Sequence, residues 1–387
     1  MERFMQRALD LAQRYRGVTS PNPMVGAVVV KDGHIVGEGA HPHAGMPHAE
    51  IFALRSAGKA ANGATLYVTL EPCNHQGKTP PCTEAIIAAG ITRVVAAMED
   101  PNPLVQGKGF ARLRQSGIMV ECGMLEAQAR KLNEVFIHYI TTGMPFVTMK
   151  AATSLDGRIA TQTGDSRWIS SPSARRRVHE MRREYDAVMI GKGTLLKDNP
   201  RLNVRLDEEL EGPQKIVIMP NLNVSARELT KMNVYRTSLR KPLIVVCNQG
   251  VAHRDAASRY AAHNIQLIPV EEVDGMINLR SLGRALGQSG ITSLLLEGGA
   301  GLFTSYLKQQ LINKITLFQG PIIIGAEGMS LVGHCQNAVI HDALRLKEIT
   351  TKSFGDTVQI TGYPTYRMHP VQKENQNSRE DSCLPES

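Results

Sequence analysis

Short apolar runs rich in valine and isoleucine alternate with helix-compatible segments along this chain, in two separate series. The first series reads helix (2–16), turn "SPNP", strand "VGAVVV", turn "KDG" and strand "HIVGEG". A helix from about Pro47 follows, then strand "TLYVTL", helix "CTEAIIAAG" and strand "TRVVAAM". Strands that keep returning between helices argue for a layered α/β unit. Residues 125–139 form its closing helix, and the turn cluster "TTGMP" sets a boundary near Met144. The second series, "FVTMKAATSLDG", "DAVMIG", "KIVIMP", "PLIVVC", "SLLLEGG" and "KITLFQG", predicts a second α/β domain over 145–366. A length of 387 residues suits two cores better than one. The remainder, 367–387, is polar and nearly free of aromatics, and is expected to be a disordered tail.

Composition narrows the setting. The chain is 42% hydrophobic and 21% charged, and no apolar run approaches the roughly 20 residues that span a bilayer. The start, "MERFMQRALDLAQRYRG", has no continuous apolar stretch, so a cytoplasmic location without a membrane partner is expected. Cys73, Cys82, Cys122, Cys247, Cys335 and Cys383 are scattered rather than spaced as a disulfide framework. The net charge of +8 is uneven: residues 1–145 hold 14 Lys and Arg against 12 Asp and Glu, a balance of +2. This argues against a nucleic-acid groove on the N-terminal part and suits a small phosphorylated ligand on the C-terminal part.

The stretch "EPCNHQGKTPPC" spends two of six cysteines within ten residues. With "PHAEIFAL" it supplies His48, Cys73 and Cys82, a three-ligand set for zinc that leaves one position for water. Glu50 is the residue expected to handle that water's protons. Residues i and i+2 do not share a helix face, so His48 and Glu50 converge only at a helix start. Pro47 and Pro80-Pro81 mark two such starts, whose dipoles favour thiolates. Taken singly, a buried cysteine or a core histidine is the commoner meaning of each residue. Together they match the zinc deaminase signature, H-x-E then P-C-x-x-C, except that eight residues rather than two separate the cysteines. His75, inside that loop, is a rival ligand.

"PHAEIFAL", "EPCNHQGKTPPC" and the upstream "TSPNPMVGAVVV" resemble the bifunctional deaminase/reductase family of riboflavin biosynthesis, in which the long cysteine gap is characteristic. The resemblance implies an N-terminal cytidine-deaminase-like three-layer domain that acts on a diaminopyrimidinone ribosylamino 5′-phosphate and releases ammonia. It also implies Asn22 as a contact to the substrate amide, with His41 and Lys78 as further contacts. An asparagine in a Pro-flanked turn and a loop lysine are common without function.

From Phe146 the chain resembles the reductase half of the same family, a dihydrofolate-reductase-like fold, through "KAATSLDGRIA", "GDSRWIS", "IGKGTLLKDNPRLNVR" and "LLLEGGAGLF". Read physically, "SLLLEGGAGLF" is a buried strand ending in glycines and opening a helix, an arrangement that receives phosphates. The resemblance implies NADPH as hydride donor to C1′ of the ring-opened sugar. It implies Ala152, Trp168, Thr194, Asp198 and Gly299 as cofactor contacts. Ser166, Arg182, Leu202, Arg205 and Glu297 are the implied substrate contacts, the arginines pairing with the 5′-phosphate. Asp156 in "SLDG" reads first as a turn aspartate. After the strand "KIVI" the family pattern carries an aspartate-like residue, whereas this chain reads "MPN", which bears on the choice between NADPH and NADH. A homo-oligomer is expected.

Two other functions can be set against this one. A zinc deaminase acting on a nucleic-acid base would need a basic groove with stacking aromatics, and the +2 balance and 5% aromatic content argue against it. A zinc-stabilised binding module would need a fourth protein ligand, for which His75 is the candidate.

Overall fold

The structure, a computed structural model, describes all residues except 76–79, 104, 207–208, 211, 239, 336–337 and 367–387, with 209–210 described as backbone only. The expected tail and Lys78 therefore lie outside the described residues.

The N-terminal sheet has the order β2-β1-β3-β4-β5, from β1 (Gly26–Lys31), β2 (His34–Ala40), β3 (Thr65–Val68), β4 (Arg93–Ala96) and β5 (Met119–Cys122). β1 is antiparallel to β2 and β3, and β3, β4 and β5 run parallel. β1 is apolar at five consecutive positions, the pattern of a strand buried on both faces. One face carries α1 (Glu2–Gln13), which buries Phe4, Met5, Ala8, Leu9, Leu11 and Ala12, with α5 (Glu126–Leu132) beside it. The other carries α2 (Ala49–Ala57), followed by α3 (Cys82–Ala88) and α4 (Lys108–Gln115).

Glycines fix both helix contacts. A Cβ on Gly26 would lie 2.0 Å from the Ala8 carbonyl oxygen in α1, and one on Gly39 would lie 2.4 Å from the Ala49 oxygen in α2. Gly26 pairs with Ala40, so Gly39 points to the opposite face, and the sheet is the middle of three layers. Gly37 meets α2 in the same way, 2.3 Å from the Ala53 oxygen. Gly39→Ala is expected to push α2 off the sheet and lower stability by about 1–3 kcal/mol. A chemical-denaturation midpoint checks this, and an unchanged midpoint would mean that the helix has room to spare.

The expected closing helix over 125–139 is instead two helices, α5 and α6 (Glu134–Thr142), which meet at Asn133. Asn133 is 1% exposed, its Oδ1 accepts from Met24 N at 2.8 Å, and its Nδ2 donates to Met24 O at 3.0 Å. A partner more than a hundred residues away thus sets the break.

In the second series, the strands Ile265–Val270, Leu243–Asn248, Gln214–Ile218 and Ala187–Gly191 lie side by side and parallel, with Ser293–Leu296 next to the last. Phe146–Thr153 pairs parallel with Lys314–Gln319, which is followed by the antiparallel strands Thr357–Thr365 and Arg345–Phe354. Two compact units result: Met1–Phe146 with Arg177–Leu295, and Val147–Arg176 with the chain from Leu296 onward. This grouping differs from a single cut at Met144, because the parallel strands of the second series group with the N-terminal residues. No helix among the described residues is long and apolar enough to cross a membrane.

Candidate active site

His48, Cys73 and Cys82 reach one point from three elements. His48 is the N-cap of α2 and Cys82 the first residue of α3, behind the N-cap Pro81. Cys73 lies on the segment that leaves β3. His48 Nδ1 is 3.2 Å from Cys82 Sγ and 3.5 Å from Cys73 Sγ, and all three donor atoms lie within 4.8 Å of one another. Metal–nitrogen and metal–sulfur bonds of zinc length set N and S donors of one tetrahedron about 3.5 Å apart. The donor set and its spacing therefore fit zinc. His75 is exposed and stands outside this cluster, so a fourth protein ligand from it is not supported.

The three donors perturb one another. The Cys82 side chain and His48 lower the Cys73 thiol's pKa towards the thiolate, while Cys73 and burial raise that of Cys82. The Cys73 contact holds His48 above its ordinary value. Glu50, in the first turn of α2, is 3% exposed, and burial pushes it up to about 7. Its Oε2 is buried without a hydrogen-bond partner among the described residues. A buried carboxyl oxygen of this kind is costly unless something else engages it.

Asn22 and His41 come together beside this cluster. His41, 3% exposed, has Nδ1 3.1 Å from Pro47 O and Nε2 3.0 Å from Asn22 Nδ2, with its ring edge-on to that of His48. A carbonyl oxygen can only accept, so Nδ1 carries the proton and Nε2 accepts from the Asn22 amide. Burial lowers the pKa of His41, in keeping with this neutral form. The contact orients the Asn22 amide with its nitrogen towards His41.

Sequence reasoning passed over Glu71, although it opens the quoted stretch. It is 3% exposed and accepts four backbone N–H groups, from Asp100 and Gly107 on Oε2 and from Gly109 and Phe110 on Oε1, at 2.8–3.2 Å. The available signal was a carboxylate at the end of a buried strand. Nearby Asp100 is also buried, and desolvation lifts it to about 6.

In the first unit, Arg182 Nη1 donates to the Asn203 backbone oxygen at 3.3 Å, and Arg205 Nη1 donates to Asn203 Oδ1. Asn203 is 4% exposed, so one buried residue gathers both arginines. The Arg205 N–H also reaches His179 Nδ1 at 3.2 Å. Leu202 has φ +52° and is buried, 3% exposed as a whole residue. Thr194 and Asp198 lie on the short helix Lys192–Asp198, Thr194 half-buried and Asp198 exposed at its end.

In the second unit, Glu297 follows the strand Ser293–Leu296, and its Oε2 is 3.5 Å from Lys150 Nζ. Both side chains are largely buried. Gly299 is the N-cap of the helix Ala300–Lys308, and Ala152 lies on the strand Phe146–Thr153. Trp168 is 66% exposed, with the Arg175 guanidinium carbon 4.2 Å from its ring centroid, and Ser166 is half-buried two residues before it. Asp156 accepts from Ile324 N and Gly325 N at 3.1 and 2.8 Å, which makes it a clamp between two loops.

Residues 145–360 match the family described as RibD C-terminal domain, and residues 1–98 match the cytidine and deoxycytidylate deaminase zinc-binding region. The riboflavin biosynthesis protein RibD of Aquifex aeolicus is 43% identical over 359 residues, which cover 92% of this chain and 96% of that protein. Its Escherichia coli counterpart is 42% identical, over 85% of this chain and 90% of its own length. Among solved structures, Acinetobacter baumannii RibD superposes with a TM-score of 0.84 at 36% identity, covering 94% of this chain and 99% of that one. A diaminohydroxyphosphoribosylaminopyrimidine deaminase/5-amino-6-(5-phosphoribosylamino)uracil reductase from Thermotoga maritima does so with a TM-score of 0.81 at 38% identity, covering 94% and 98%.

Proposed function

Because the chain belongs to the RibD family of riboflavin biosynthesis, we propose a division of labour among its residues. The protein is a bifunctional deaminase/reductase, with a cytidine-deaminase-like zinc-binding domain and a dihydrofolate-reductase-like domain of the NADPH-using kind. Its substrate is 2,5-diamino-6-(5-phosphoribosylamino)pyrimidin-4(3H)-one, which loses an amino group by hydrolysis before its ribosyl side chain is reduced to ribityl. We place the functional boundary at 144/145, with the reductase part running to 366.

His48, Cys73 and Cys82 hold the zinc, and the observation that carries this is the convergence of their donor atoms, with Glu50 in the first turn of the helix that His48 caps. When bound, zinc acidifies water to a pKa of about 7. Glu50 takes a proton from the attacking water and delivers it to the departing amine, so that oxygen replaces nitrogen and ammonia leaves. A carboxyl pushed up to about 7 by burial is suited to both transfers. Asn22, oriented by His41, holds the pyrimidine amide.

For the reduction, NADPH supplies the hydride. Ala152, Trp168, Thr194, Asp198 and Gly299 bind it, with the exposed indole of Trp168 offering a stacking face. Arg182 and Arg205, both tied to Asn203, neutralise the 5′-phosphate. Ser166, Glu297 and Leu202 position the rest of the substrate.

The reading also assigns a cytoplasmic homo-oligomer with no nucleic-acid or membrane partner.

The test is ammonia release from the diaminopyrimidinone phosphate, followed by NADPH oxidation on the product, with zinc assayed in the same preparation. Zinc-loaded protein should perform both steps. Stoichiometric zinc without ammonia release would overturn the deaminase reading.

A further inference from the structure

The turn that carries Asn22 is anchored from outside the deaminase segment. Asn22 N donates to Thr19 O at 2.9 Å, which closes the turn, and Ser20 points away from it. The Ser20 hydroxyl donates to Asp186 Oδ2 at 2.9 Å and lies 3.2 Å from Thr292 Oγ1. Asp186 and Thr292 both belong to the stretch that matches the RibD C-terminal domain.

Asp186 is itself tightly held. The same Oδ2 accepts from Thr292 N at 2.8 Å, Thr292 Oγ1 at 2.7 Å and Ser293 N at 3.2 Å, and the Asp186 N–H donates to Ser293 Oγ at 2.8 Å. Three donors from residues 292–293 therefore fix the carboxylate, and the fourth comes from Ser20. The chain runs close beside this point: a Cβ on Gly17 would lie 2.7 Å from Glu184 Cα and 2.8 Å from Arg183 O. A path of contacts then leads inward. Ser20 and Asn22 share one turn, Asn22 bonds His41, His41 bonds Pro47 O, and the next residue is His48.

We infer that Asp186 is a positioning residue for the deamination: through Ser20 it sets where the Asn22 amide meets the substrate. The inference rests on the role given to Asn22 above. Charge-assisted hydrogen bonds are the stronger ones, and a displacement of about 1 Å in a positioning group can cost on the order of a hundredfold in rate. A hydroxyl lost at one remove from the amide is expected to cost about tenfold.

The experiment uses the full-length, zinc-loaded protein. Ser20→Ala should lower kcat/KM for ammonia release about tenfold, mainly through kcat. Its zinc content and its NADPH oxidation on already deaminated substrate should stay at wild-type values, with at most a modest fall in melting temperature. Ser20→Thr, which keeps the hydroxyl, should restore ammonia release. Ser20→Ala combined with Asp186→Ala should deaminate no worse than Asp186→Ala alone, because both changes cut the same link. Asn22→Ala is the control that separates the two readings. If Asn22→Ala is impaired while Ser20→Ala deaminates like wild type, the anchoring inference fails and the role of Asn22 stands. Wild-type ammonia release by Asn22→Ala overturns both. If Ser20→Ala loses both activities together, the contact merely supports the fold and the inference falls.

Discussion

Glu50→Gln is expected to release ammonia about 10²–10⁴ times more slowly than wild type while keeping its zinc and its reductase activity, the usual range for removing a proton-transfer group. The substitution is close to isosteric, and the site is buried, so shape and packing persist. The proton relay does not survive, because an amide can neither accept the water's proton nor pass one to a leaving amine. The expected stability change is small or favourable: the residue is 3% exposed, its Oε2 has no partner among the described residues, and its burial already disfavours the charged form. Ammonia production, metal analysis and NADPH oxidation on the deaminated product, run on one preparation, separate the possibilities. Loss of zinc together with ammonia release would make Glu50 part of the metal's own coordination. A wild-type rate would remove it from the reaction altogether.

The sequence made the convergence of His48, Cys73 and Cys82 legible because its parts are short-range and chemically distinctive. His48 and Glu50 are two residues apart, Cys73 and Cys82 bracket one loop, and prolines mark both helix starts, so residue types and spacing carry the chemistry. The layered α/β arrangement was legible for a similar reason, since apolar runs such as "VGAVVV" and "TRVVAAM" alternate with helical segments, whereas β5, short and largely exposed, carries no such pattern. What escaped depends on partners distant in the chain. Asn133 breaks the closing helix because it clamps Met24, and no local pattern announces that. Arg182 and Arg205 can be assigned by resemblance alone, whereas Asn203, which gathers them, requires the fold. Leu202 shows the limit of transferring a residue name: the residue as a whole is buried, at φ +52°, and sequence does not announce that. The compact units raise the same issue at larger scale, because contact between residues far apart in sequence groups the parallel strands of the second series with the deaminase segment.

Glu71→Ala is expected to be strongly damaging, lowering stability by roughly 3–5 kcal/mol, because it strips the shared acceptor from four backbone N–H donors. The carboxylate is nearly inaccessible and is shared by the N–H groups of Asp100, Gly107, Gly109 and Phe110. Alanine would leave four donors without an acceptor in a place that water cannot easily reach, and each such donor costs about 1–3 kcal/mol unless the chain relaxes. Relaxation is restricted here. A Cβ on Gly109 would lie 2.0 Å from the Pro72 oxygen, so the start of α4 rests directly on the residue that precedes Cys73. The segment from Asp100 to Phe110 is therefore expected to loosen first and to disturb Cys73, which weakens zinc binding. Glu71→Gln should give a similar but smaller loss, because its amide nitrogen would face N–H donors on one side. Denaturation midpoints of zinc-loaded protein, amide exchange over 100–110 and zinc affinity provide the measurements. Wild-type protection of those amides in Glu71→Ala would show that the loop holds itself and that the carboxylate is not its anchor. Loss of protection with zinc affinity intact would confine the role of Glu71 to the loop, and would break the proposed connection from Glu71 through Pro72 to the metal.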